Sequence, residues 1–141
     1  NCRFGDSETQ VVLPLLKTDL LTVMQAVEDI PLDQLTVEWH DGAAACVILA
    51  SGGYPSHYEK GKVMTFPESL PANVTIYHAG DKLAEDGRLV TSGGRVLGVT
   101  ATAPTLQKAL ADAYAAAETV AFDGKYMRHD IGRQALAAME G

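Results

Sequence analysis

Two groups of residues in this chain have the types and spacing that phosphate chemistry requires. The first is the decapeptide Asn1-Cys-Arg-Phe-Gly-Asp-Ser-Glu-Thr-Gln10. Asn1 and Arg3 stand two apart, so an extended backbone turns both side chains to one face. An amide oxygen is a ligand acceptable to Mg²⁺, and a guanidinium can hold a carboxylate or a phosphoryl group through two hydrogen bonds. Gly5 then allows a sharp turn. Asp6 and Glu8 follow where a helix can begin, with Ser7 as an N-cap for the apolar run from Val11. The second group is split along the chain: Ser51-Gly52-Gly53-Tyr54 and Gly93-Gly94-Arg95, each a glycine pair beside a long apolar segment. Backbone N–H groups at such turns can cradle an anion, with Arg95, Lys60 and Lys62 as nearby cations. Plainer readings stay open for both groups: a polar strand end leading into a helix, and two tight turns of a small β domain.

The elements that must position these residues can be read from periodicity. Val11, Val12, Leu15 and Leu16 make one apolar helical face that Pro14 divides. Thr18 or Asp19 can cap a second helix, on which Leu20, Val23, Met24 and Val27 recur at helical spacing up to Ile30-Pro31. That face finds no partner within its own segment and is the expected exposed patch. From Thr36 the texture is strand and turn. Thr36–Trp39 and Ala43–Ala50 flank Asp41-Gly42, which predicts a hairpin. Further strands are expected at Lys62–Phe66, Val74–His78, Lys82–Ala84 with Arg88–Thr91 across Asp86-Gly87, and Arg95–Thr102, where Gly98 marks a bulge or a close approach. A helix from Thr105 to about Ala121 carries a continuous stripe of Leu106, Ala109, Leu110, Ala113, Tyr114, Ala117 and Val120. A last helix, capped by Asp130, runs through Ile131, Ala135 and Met139. Trp39 reads as core, and His129 beside Asp130 as a packed ion pair.

The fold class expected is therefore α+β: a helical lead-in over residues 1–35, then over 36–141 a small antiparallel barrel or sandwich braced by one long helix. With 141 residues the chain can form one ordinary domain or a small domain with a helical appendage, and 47% hydrophobic with 21% charged residues suits a globular protein. A net charge of −7 leaves no basic stripe for nucleic acid. No apolar run is long enough to span a bilayer and no signal peptide opens the chain, so no membrane partner is expected. Cys2 and Cys46 lack metal-ligand spacing and form no disulfide framework, which points to reduced thiols and a cytoplasmic setting. His40, His57, His78 and His129 likewise show no metal spacing.

Several of these motifs together resemble the phosphoribosylamine–glycine ligase (glycinamide ribonucleotide synthetase) family of the ATP-grasp superfamily. Asn1-x-Arg-Phe-Gly-Asp-x-Glu-Thr-Gln10 is similar to the family's signature strand and turn, with Ser7 where the family usually has proline. Leu49-Ala-Ser-Gly-Gly-Tyr-Pro55 with Tyr58, Lys60 and Gly61 follows in the family's order, as do His78-Ala-Gly80, Gly93-Gly-Arg-Val-Leu-Gly-Val99 and Arg128-His-Asp-Ile-Gly132. The family's metal-binding strand also has a glutamate two residues before the asparagine, a position this chain does not contain.

The resemblance implies the C-terminal portion of a longer enzyme, with residues 1–35 ending an ATP-grasp domain. It implies ATP-dependent joining of glycine to 5-phosphoribosylamine through glycyl phosphate, an early step of purine synthesis, with Mg²⁺ or Mn²⁺ as cofactor and ATP as co-substrate. Asn1 is then a metal ligand. Arg3 steadies the glycine carboxylate or the acyl phosphate, and Asp6 pairs with the glycine ammonium. Ser51, Gly52, Gly53, Tyr54, Lys60, Gly93, Gly94 and Arg95 face the phosphoribosyl substrate. The partners implied are the preceding domains of the same polypeptide, in a monomeric parent, and the chain alone is expected to be inactive. Three alternatives remain: another purine-pathway ligase of the superfamily, a sugar-phosphate-binding module, and a structural domain without a ligand.

Overall fold

A computed structural model describes residues 3–29 and 31–139 of the chain. The apolar run Ala43–Ala50 forms β1, and Arg95–Ala103 forms β5, which lies antiparallel between β1 and β2 (Val74–His78). Val47 stands opposite Val99 and Leu49 opposite Leu97, so β-branched and Leu side chains stack in cross-strand pairs. The register shifts after Leu49, where Ala50 pairs with Arg95. That bulge lies at the end of the sheet from which the two glycine turns leave.

Helix α3 (Leu106–Thr119) returns across one face of this sheet. It starts where the sequence indicates: Thr105 is extended, and its Oγ accepts the Lys108 N–H at 3.2 Å. Its stripe is largely alanine, with Ala109, Ala113 and Ala117 fully buried, so the helix sits close over the face of the sheet that carries Val47, Leu49, Leu97 and Val99. Each such Val or Leu contributes about 1.5–3 kcal/mol by leaving water. The Lys125 ammonium donates to the carbonyls of Ala117 at 3.0 Å and Val120 at 2.7 Å, satisfying acceptors at the helix end.

The opposite face of β1 and β5 is covered by the lead-in. Helix α1 (Thr9–Val12) continues into a 3-10 turn (Leu13–Leu15) with Pro14 in its first turn, where the missing N–H is harmless. A side chain at Gly98 would stand 3.2 Å from the Cys46 Sγ and 3.8 Å from Gln10 Cγ. Of the two roles expected for that glycine, the structure shows close approach. Helix α2 (Leu20–Asp29) is capped by Asp19, whose Oδ2 accepts the Thr22 N–H at 2.9 Å. Of the expected patch, Met24 and Val27 are exposed, while Leu20 and Val23 are half-buried and Leu21, outside that face, is exposed as well.

Several local expectations are corrected. Residues 36–39 do not pair with β1. The Glu38 carbonyl accepts from Lys17 and Thr18, Leu15 accepts from His40, and Trp39 bridges to Leu16. Gly42 has φ +113°, a conformation that favours glycine, and a side chain there would stand 2.5 Å from the Ala103 carbonyl oxygen. Trp39 is consequently half exposed and not core. Lys62–Phe66 makes only isolated bridges, Val63 to Val90 and Thr65 to Ala121. Ser7 does not cap α1, where Glu8 stands at the N-cap with its Oε1 accepting the Gly5 N–H rather than a helix N–H, and the Gly5 carbonyl accepts from Thr9. Asp130 does not cap α4 (Arg133–Met139) by its side chain, since its carboxylate is held by the Arg128 fork at 2.7 and 2.9 Å, and His129 instead stacks on Tyr114.

The expected strand pair across Asp86-Gly87 forms as β3 (Asp81–Leu83) and β4 (Leu89–Thr91), with Gly87 at φ +79°. The two sheets stay separate among the described residues, so the architecture is α+β with open antiparallel sheets and not a closed barrel.

Candidate functional site

Two segments selected for their chemistry leave the same end of the central sheet, Ser51 after β1 and Arg95 at the start of β5, and His78 at the end of β2 joins them there. The two glycine turns are stitched together there. Ser51 donates its N–H to the Gly94 carbonyl and its Oγ–H to the Gly93 carbonyl, both at 2.8 Å, and is itself buried. The Tyr54 ring lies against Gly94, leaving no room for a side chain, and meets Tyr58 edge-on at 6.0 Å. Gly53 has φ +94°, a side chain there would run into the His57 carbonyl, and one at Gly52 would stand 2.8 Å from the Gly124 carbonyl. Glycine is thus required at these turns for backbone packing. Gly93 does not offer an open donor, because its N–H is bound to the Gly80 carbonyl at 2.9 Å.

Arg95 leaves this stitched corner and reaches the N-terminal motif. Its Nε lies 3.1 Å from Asp6 Oδ2. The other Asp6 oxygen accepts from Gln10 Nε2 at 2.6 Å. Both carboxylate oxygens are thereby engaged, and two residues singled out separately by sequence form one ion pair across 89 positions. Arg3 is exposed, its guanidinium 3.4 Å from the Phe4 carbonyl. Lys60 is exposed. Lys62 is committed to Glu59 at 2.6 Å and Asp123 at 3.1 Å, and these bonds, Glu59 first, raise its pKa.

Beside the Asp6–Arg95 pair runs a groove of about 350 Å³ between the lead-in and β2, lined by Phe4, Asp6, Gln10, Tyr77 and His78 among others. His78 Nδ1 is bonded to Asp81 Oδ2, and Asp81 is nearly buried. Sequence reading passed over Asp81. The available signal was its position three residues after His78 across Gly80, a spacing that lets the chain turn back on itself. Cys46 lies beneath the lead-in, where burial pushes its thiol pKa up and the nearby Asp6 charge adds to the rise against a lowering bond with Thr100. Such a thiol is a packing group, not a nucleophile.

Asn1, the metal ligand implied by resemblance, and Cys2 lie outside the described residues. Among the described residues no group of three or more His, Cys, Asp or Glu side chains could hold a metal ion.

Residues 44–134 match the family model described as phosphoribosylglycinamide synthetase, C domain. The phosphoribosylamine–glycine ligase of Synechocystis sp. is 50% identical over 138 residues, which are 96% of this chain and 33% of that protein. A bifunctional purine biosynthetic protein of Pichia angusta is 48% identical over 137 residues, 96% of this chain and 17% of its own length. The crystal structure of the phosphoribosylamine–glycine ligase of Thermotoga maritima superposes with a TM-score of 0.77 at 39% identity, covering 92% of this chain and 32% of that one. The chain spans about a third of the length of the single-function relatives it matches. With the family model covering well over half of the residues, including both glycine turns, Arg95 and the His78–Asp81 corner, the chain belongs to the phosphoribosylglycinamide synthetase C-domain family.

Proposed function

We propose that this chain works as the C-terminal part of a phosphoribosylamine–glycine ligase, the name its relatives carry. In this reading, residues 1–35 close an ATP-grasp domain and residues 36–141 form the domain that receives the amine acceptor. The glycine carboxylate takes the γ-phosphoryl group of ATP to give glycyl phosphate, and the amine of 5-phosphoribosylamine displaces phosphate to give glycinamide ribonucleotide. This chain contributes cations, orientation and exclusion of water from the acyl phosphate. Asn1 would hold Mg²⁺ through its amide oxygen together with residues of the preceding part of the polypeptide, and the ion would neutralise charge on the transferring phosphoryl group. Arg3 faces the glycine carboxylate or the acyl phosphate. Asp6 retains lone pairs beyond those used by Arg95 and Gln10, and these accept the glycine ammonium.

The observation that carries the reading is the Asp6–Arg95 ion pair. It joins the motif that resembles the family's catalytic strand to the glycine corner that resembles its acceptor domain. Arg95 follows Gly94 at the head of a buried strand, so its backbone is fixed while its guanidinium remains 44% exposed and open to a phosphate.

The test is kinetic. In the full-length enzyme, Arg95→Ala should raise the KM for 5-phosphoribosylamine and leave that for ATP nearly unchanged. Loss of one charge-assisted contact costs about 1.5–3 kcal/mol, or about tenfold to over a hundredfold in affinity. If Arg95 only braces the corner, the variant loses melting temperature and all three substrates suffer alike. The isolated 141-residue chain, without the nucleotide-binding parts, should neither hydrolyse ATP nor form the amide.

A further inference from the structure

A histidine and a carboxylate at the site end of the sheet have no role in the proposed function. His78 closes β2, with its Nδ1 2.5 Å from Asp81 Oδ2. The Asp81 side chain is only 7% exposed, whereas that of His78 is 52% exposed and lines the groove that Asp6 also lines. An ionised carboxylate can only accept, so the proton between them belongs to Nδ1. The neutral ring then carries its lone pair on Nε2, away from Asp81. Backbone bonds from Ala79 and Gly80 to the Val96 carbonyl pin the corner between the two residues, and Phe66 packs on the ring at 6.2 Å. A buried carboxylate that fixes the tautomer of an accessible imidazole is a recurring way to make histidine a proton acceptor.

The proposed reaction needs such a group. When the acceptor amine attacks the acyl carbon of glycyl phosphate, a C–N bond forms, the C–O bond to phosphate breaks, and phosphate leaves with the electron pair. The nitrogen must shed a proton for the amide to form. The other ionisable groups at this corner serve the task poorly. Asp6 is paired with Arg95 and Gln10 and in that reading also holds the glycine ammonium, Arg95 is a permanent cation, and Asp81 is covered. We propose that His78, positioned by Asp81, takes that proton on Nε2 and passes it to solvent. This inference rests on the ligase reading and assigns a role within the same site.

The experiment uses the full-length enzyme with two acceptors. One is 5-phosphoribosylamine. The other is hydroxylamine, a strong nucleophile that is unprotonated at neutral pH and traps glycyl phosphate as the hydroxamate with little need of a base. His78→Gln should lower the ligation rate by about 10²–10⁴-fold, keep hydroxamate formation within about threefold of the unmodified enzyme, and recover part of its ligation when imidazole is added. Asp81→Asn, which leaves His78 in place without a fixed tautomer, should lower ligation by about tenfold or more and again spare the hydroxamate. Ligation by His78→Gln at the unmodified rate would overturn the proposal, as would an equal loss with both acceptors. If His78→Gln does not fold by melting analysis, Asp81→Asn decides: full ligation activity in that variant overturns the assignment. Failure of the unmodified enzyme to make either product would instead remove the ligase reading itself.

Discussion

Helices α2 and α3 each begin on a side chain that accepts a backbone N–H, Asp19 from Thr22 at 2.9 Å and Thr105 from Lys108 at 3.2 Å. Both carry apolar residues at helical spacing. In α3 that spacing ends in burial: Ala109, Ala113 and Ala117 are fully covered by β1 and β5. In α2, Ala26 is covered while Leu21, Met24 and Val27 are each about three-fifths exposed, at 61%, 59% and 64%. Composition does not explain the difference. Connection does. Pro104-Thr105 turns the chain straight back from β5, so α3 lands on the sheet it has just left. Helix α2 hangs between the 3-10 turn at Leu13–Leu15 and the segment at 36–39, which bond to each other through Glu38 and His40 and leave the helix to one side. Periodicity tells that a face needs cover, and topology decides whether this stretch of chain supplies it.

That contrast can be tested where it should be strongest. Leu49→Ala empties a fully buried position under α3 and should destabilise the chain by about 2–5 kcal/mol, read as a fall in the denaturation midpoint at unchanged slope. A smaller step compares the caps. Thr105→Ala should cost about 1 kcal/mol of global stability, because α3 unfolds only when the sheet does. Asp19→Ala removes the same kind of bond, yet it should leave the midpoint almost unmoved and instead raise amide exchange within α2 alone, since a helix covered on one side opens locally. Equal midpoint shifts from the two variants would show that α2 and α3 belong to one cooperative unit.

The same contrast separates what was legible in the sequence from what was not. Strands β1 and β5, the Asp86-Gly87 turn, the Asp19 and Thr105 caps and the α3 stripe all follow from residues close together in the chain, where propensity and geometry agree. The hairpin at Asp41-Gly42 failed because Glu38 and His40 found partners near residue 17, some twenty positions upstream. Trp39 went with it. Closure into a barrel failed for the same reason, as no local pattern states which strands share an edge. At the site, Asp6 and Arg95 were each visible as chemistry, but their contact spans 89 residues and could not be read from either motif. The glycine pairs were legible as special backbone, while their use, packing Tyr54, Gly124 and Gly80 at close range, needed coordinates. Asp81 was missed because a carboxylate three residues from a histidine is unremarkable until one of the pair is covered.

The smallest effect carries the sharpest form of the comparison. Met24→Ser combined with Val27→Ser changes two exposed residues, so in the isolated chain the stability should stay within about 0.5 kcal/mol per site of the original. If the exposed face of α2 packs on the preceding domains, as the ligase reading holds, the same two changes in the full-length protein remove buried apolar contacts. Loss of a buried Met or Val side chain then costs on the order of 1–3 kcal/mol, and a polar hydroxyl left at the interface adds to it. The measurement is therefore a difference between two contexts: one pair of substitutions, one denaturant, and midpoints compared in the short and the long polypeptide. Near-zero shifts in both would mean that α2 faces solvent throughout and that the preceding domains lie elsewhere. A large shift in the isolated chain, with sedimentation showing dimers, would mean that a second copy covers the face. A shift confined to the long polypeptide would locate the domain contact on Met24 and Val27, and it would place that contact beside the segment that carries Arg3 and Asp6.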